Sequence, residues 1–103
     1  MPDPIKIRAT LTRDKVDVKI LIAHPMDSGF GKDAFGKDIP AHFIEEVAIT
    51  CNGRTVLSAQ WGPAVARNPF IAFRFGGARK GDTLAVTWRD NLGETQSNEV
   101  AIG

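Results

Sequence analysis

The sequence predicts an all-β fold, an immunoglobulin-like antiparallel β-sandwich of about seven strands. Three observations predict it. Apolar and polar residues alternate through segment after segment, the period of a strand with one face buried. Turn formers punctuate the chain at regular spacing, among them Asn52-Gly53, Gly76-Gly77, Gly81-Asp82 and Asp90-Asn91-Leu92-Gly93. No stretch carries a convincing helical period. At 103 residues and 43% hydrophobic content, the chain suffices for one domain, 1–103, around a single core.

Each element follows from its own pattern. Ile5, Ile7, Ala9 and Leu11 alternate with Lys6, Arg8 and Thr10, and Thr12-Arg13-Asp14-Lys15 is a polar turn. Val16, Val18, Ile20 and Ile22 then share one face. Asp17, Lys19, Leu21 and Ala23 share the other, which begins charged and ends apolar. That change predicts a strand end covered on both sides. Pro25 to Pro40 is a long loop holding a small repeat, Phe30-Gly31-Lys32-Asp33 and Phe35-Gly36-Lys37-Asp38. Loops of this length are uncommon in compact domains and are often functional or mobile.

The third strand spans His42–Asn52. Phe43, Val47, Ile49 and Cys51 share its face, with Glu45 the exception. Asn52-Gly53 predicts a type I′ hairpin into Arg54–Trp61, because both residues tolerate positive φ. Gly62-Pro63 and Asn68-Pro69 bound a stiff corner, since proline fixes φ and cannot donate to a ladder. Phe70–Phe75 follows, with Ile71, Phe73 and Phe75 on one face and Phe70, Ala72 and Arg74 on the other. Thr83–Arg89 turns Leu84, Val86 and Trp88 inward, with Trp88 the expected central aromatic. Glu94–Ile102 closes the set with Val100 and Ile102 inward.

Composition narrows the function. Thirteen Lys and Arg against twelve Asp and Glu leave a net charge of +1, which makes no case for nucleic acid or an anionic membrane. No apolar run approaches the ~20 residues that span a bilayer. The opening MPDPIKIRAT has no apolar signal-peptide core, which taken alone predicts a cytoplasmic protein. Cys51 has no second cysteine to pair with.

The candidate chemistry is sparse. Gly31 to Lys37 has the spacing of a phosphate-binding loop, but Asp38 stands where Ser or Thr is needed, and a strand follows rather than a helix. Glu45 and Glu46 are expected on opposite faces of a strand, where they cannot cooperate. Cys51 shares a face with Val47 and Ile49, which predicts a buried, inert thiol. His24 and His42 are expected to neighbour each other across the long loop. With Cys51 they form the metal-binding or redox alternative, although no local spacing supports it. No catalytic residue and no cofactor is assigned.

Two resemblances enter here. His24-Pro25-Met26 and Cys51-Asn52 look like fragments of superoxide reductase, an immunoglobulin-like iron enzyme. That family binds iron through four His and one Cys, and two His cannot build the site. The second covers nearly the whole chain. It runs from Asp3-Pro4 and Ile7-Arg8-Ala9 through His24-Pro25-Met26, Pro40-Ala41, Phe43-Ile44 and Asn52-Gly53. It continues through the central block Leu57–Phe70, LSAQWGPAVARNPF, to Gly81-Asp82, Val86-Thr87-Trp88, Asp90-Asn91 and Gly93. These residues resemble the SoxZ family of bacterial sulfur oxidation.

That resemblance implies a non-catalytic subunit paired with SoxY, whose cysteine carries thiosulfate-derived sulfur to a series of enzymes. It also implies a periplasmic complex exported on the partner's signal. Cys51 does not lie in a Gly-Gly-Cys-Gly-Gly tail, so the carrier role is not transferred to it. On this reading Leu21, Ile44 and Phe70, with Trp61 and Pro63 at the corner, are the candidate partner interface. His24, Pro25 and Met26 form a candidate docking loop. Arg67, Arg74 and Arg89 are candidates for attracting the anionic adduct. The isolated subunit is open to self-association.

Overall fold

The computed structural model describes residues 4–103; Asp3, part of the family likeness, lies outside them. Seven strands form: β1 (Lys6–Thr12), β2 (Lys15–Leu21), β3 (Ile44–Cys51), β4 (Arg54–Gln60), β5 (Phe70–Gly76), β6 (Thr83–Asp90) and β7 (Thr95–Ala101). They make a three-stranded sheet, β1-β2-β5, and a four-stranded sheet, β4-β3-β6-β7. Every pairing is antiparallel. The predicted all-β sandwich is therefore the fold observed.

The core is the set of inward positions that the alternation picks out. Val16, Val18, Ile20 and Ile22 of β2 and its extension face Val47, Ile49, Leu84, Val86 and Trp88 of the larger sheet, all buried. The Asn52-Gly53 turn has φ of 49° and 83°, as a type I′ hairpin requires.

One departure comes from a β-bulge. The β3–β6 register shifts between Ile44 and Glu46. A bulge adds one residue to one strand and reverses the parity of everything before it. Ile44 thus points inward and is fully buried, while Phe43, expected to share the core face, is only partly covered. Ile44 is core and not partner interface. The same bulge overturns the expected separation of Glu45 and Glu46. Both reach Arg89, at 3.1 Å each. The three side chains are substantially exposed, so they form a surface ion-pair cluster.

The two flanks of the sandwich differ. On one, Gly103 accepts from the Leu11 amide at 2.8 Å and donates to the Ala9 carbonyl at 3.0 Å. The Asn98 side-chain Nδ2 also donates to the Ile5 carbonyl at 2.6 Å. These bonds tie β1 to the β7 side. On the other, β4 and β5 are edge strands, and among the described residues no such backbone bond joins them. Partly buried apolar side chains line both flanks: Ile7, Leu11 and Val100 on β1 and β7, and Leu57, Trp61, Val65, Ile71, Phe73 and Phe75 on the open flank of β4, the corner and β5.

Candidate functional site

Chemistry-bearing side chains gather at one end of the sandwich, where β2, β6 and the lead into β3 meet. His24 lies two residues beyond Ile22 in the inward register of β2. Asp90 lies two beyond Trp88 in the inward register of β6. Both are buried, Asp90 completely. His42 enters just before β3. The imidazoles meet edge to face at 4.6 Å between centroids, and His24 stands edge-on to Trp88 at 5.1 Å. The expected proximity of the two histidines is observed.

Asp90 is the hub. Its Oδ2 receives Nε2 of His24 at 3.2 Å and Nε2 of His42 at 2.8 Å. Its Oδ1 receives the amides of Leu92 and Glu94 at 3.0 and 2.9 Å. Burial alone would raise the carboxyl's pKa. The bonds from both histidines and the two amides outweigh burial and hold it below the usual carboxylate range.

One ligand atom from each of His24, His42 and Asp90 lies within 4.8 Å of the others, close enough for a metal set. The proton arrangement opposes it. The Met26 amide donates to His24 Nδ1 at 3.1 Å. A neutral imidazole has one lone pair, and this bond uses it. Nε2 therefore carries the hydrogen it donates to Asp90. An ion could take Nε2 only by breaking the Met26 bond. Among the described residues, no hydroxyl or thiol is hydrogen-bonded to either imidazole.

The cluster fastens a hairpin instead. Asp27 and His42 exchange amide–carbonyl bonds at 2.7 and 2.9 Å. Asn91 accepts the Phe43 amide at 2.8 Å and donates to the Ala41 carbonyl at 2.9 Å. Beyond this base the chain runs out and back, with Lys32 bridged to Asp38. The tandem repeat explains the shape. Asp33 of the first copy takes the amides of Phe35 and Lys37, and Lys32 pairs with Asp38 of the second at 2.6 Å. The phosphate-loop spacing is thus a hairpin tip with no helix behind it. Phe30 and Phe35 are left 88% exposed.

The remaining expected site residues scatter. Leu21 and Phe70 are exposed and directly opposite each other on the outer face of the smaller sheet. Trp61 is half-buried and Pro63 exposed at the corner on the open flank. Pro25 is exposed, but His24 and Met26 are buried, so they support the docking loop from beneath and do not form its surface. Arg74 pairs with Asp17, Arg89 with the two glutamates, and Arg67 is exposed at the corner.

Cys51 lies opposite Leu84, at the far end of β3 from the histidines. Burial and then Asp82 push its thiol pKa up, with Arg54 only partly offsetting them. The joint Cys51–His24–His42 site is therefore not formed, because the strand register holds its members at opposite ends.

The family of sulphur oxidation protein SoxZ matches residues 5–101 of this chain. The chain belongs to the SoxZ family. Sulfur oxidation is thus the process in which it takes part. Solved structures add the fold. A hypothetical protein from Pyrococcus horikoshii OT3 is 19% identical, with a TM-score of 0.67 over 99% of this chain and 89% of its own. A superoxide reductase in the oxidised state is 18% identical, with the same TM-score and coverage. At such identity the likeness is one of fold. No curated protein matches the sequence.

Proposed function

We propose that this SoxZ-family chain is a non-catalytic subunit that pairs with SoxY, whose cysteine bears the sulfur intermediate, in a periplasmic carrier complex. Family membership over nearly the whole chain carries this reading. Geometry supports it in two places. The hairpin holds Phe30 and Phe35 in water, fixed at its base by the Asp90 cluster. Aromatic side chains presented on an ordered projection are the usual anchors of a protein contact. The open flank offers Trp61 and Pro63 beside an incompletely covered core. A subunit that docks and supports needs surfaces of this kind and no activated nucleophile.

The test is co-expression with SoxY followed by size analysis and cell fractionation. A one-to-one periplasmic complex is expected. Phe30→Ala with Phe35→Ala should weaken it at least about tenfold while leaving the melting temperature of the isolated chain nearly unchanged. Two separately eluting proteins would remove the reading. A complex indifferent to the double substitution would remove the hairpin's part in it.

A further inference from the structure

The outer face of the smaller sheet carries a charge pattern that folding does not require. Lys6 and Arg8 of β1, Lys15 and Lys19 of β2 and Arg74 of β5 all point outward there, against the single carboxylate of Asp17. The whole chain has thirteen cations and twelve carboxylates, so the rest of the molecule holds eight cations against eleven carboxylates. A nearly neutral protein thus has one strongly basic face. Asp17 is occupied by Arg74. Among the described residues, Lys6, Arg8, Lys15 and Lys19 make no ion pair.

Arg8 and Lys19 are directly opposite each other across β1 and β2. Like charges in that relation destabilise a sheet. Lysines on edge strands deter aggregation, which accounts for charge on β1. It does not account for Lys15 and Lys19 on β2, the central strand. Next to the like-charged pair, Leu21 and Phe70 stand exposed side by side, and a shallow groove joins them to Lys6, Arg8 and Lys19.

We infer that this face is a docking surface for an acidic protein segment carrying an apolar side chain. Its carboxylates meet Lys6, Arg8 and Lys19, and its apolar group covers Leu21 and Phe70. The like-charge repulsion is relieved only when the segment is seated. A contact so rich in lysine is the composition of a transient, salt-sensitive encounter, whereas permanent interfaces are depleted in lysine. Phe70 begins β5, which borders the open flank, so this outer face adjoins the proposed stable interface; the inference stands whether or not that assignment holds.

The test titrates the isotope-labelled full chain with a short Asp/Glu peptide bearing one central Leu. Amide shifts should map to β1, Leu21 and Phe70. Replacing the peptide's Leu by Ser should weaken binding about tenfold, and raising salt from about 50 to about 300 mM should weaken it further. Arg8→Glu with Lys19→Glu should abolish binding. The single change Arg8→Glu should weaken binding yet raise the melting temperature, since it turns a repulsive pair into an attractive one; a purely structural role would not separate the two. Phe70→Ser should lose the preference for Leu. Shifts elsewhere, no shifts, equal binding of the Ser peptide or of oligo-dT, or concentration-dependent shifts without peptide would each overturn the inference.

Discussion

The outward faces of the two sheets meet the same requirement in different ways. On the larger sheet the outward row through the middle is Ser58, Ala48, Thr87 and Ser97, small and uncharged, with the Thr87 and Ser97 hydroxyls bonded at 2.9 Å. On the smaller sheet the corresponding positions hold Arg8, Lys19 and Ala72, flanked by Lys6, Leu21 and Phe70. Both faces need only tolerate water. The larger sheet shows that short hydroxyl and methyl groups suffice. The smaller sheet's crowded cations and exposed aromatic are therefore surplus to folding, and surplus of this kind is where a surface function is sought.

Substitutions can break or sharpen that contrast. The largest effect is expected at neither face but at the buried end. Asp90→Ala leaves two imidazoles and two amides without their acceptor and should cost about 3–5 kcal/mol. In a domain this size, that lowers the melting temperature by well over 10 °C, at about 4–8 °C per kcal/mol. A loss within the range of a surface substitution would mean the cluster does not fasten the hairpin.

Acid should reproduce part of that loss. The folded pKa of Asp90 is depressed, so its contribution is fully present above the ordinary carboxylate range. It is lost as pH falls through the folded value. Urea midpoints should therefore fall more steeply with acidification in the wild type than in Asp90→Asn. Equal slopes would remove Asp90 from the account.

Gly53→Ala comes next. Nothing within 4 Å obstructs a methyl group there, so only the positive φ of 83° is strained. The expected cost is about 1 kcal/mol in the urea midpoint. The smallest effects test the faces directly. Thr87→Lys with Ser97→Lys writes a like-charged pair into that uncharged row and should destabilise by about 0.2–1 kcal/mol, mirroring the gain from Arg8→Glu. If the added pair costs nothing, the existing one is not surplus.

Much of this was legible before any coordinates. Alternation located all seven strands, and Asn52-Gly53 located its hairpin. The buried cluster was not read, although its parity stands in the sequence: His24 continues the inward series after Ile22, and Asp90 continues it after Trp88. Asp90 was legible only as a turn residue because a carboxylate seldom extends a core row. The bulge at Glu45 left one mark, a carboxylate interrupting the apolar row, but a charged residue in a strand does not by itself show that a residue has been inserted. It hid the burial of Ile44 and the meeting of Glu45 with Glu46. The exposure of Phe30 and Phe35 was likewise hidden, because a phenylalanine in a loop gives no sign of whether the loop folds back over it.

The proposed function has this chain act through its surface and not through a reactive interior. Amide hydrogen exchange of the chain alone and with SoxY tests it most directly. New protection is predicted on the hairpin around Phe30 and Phe35 and at the Trp61–Pro63 corner, with the amides of Leu92 and Glu94 at the Asp90 cluster unchanged. Protection confined to the amides around His24 and Asp90, with the hairpin as open as before, would contradict it.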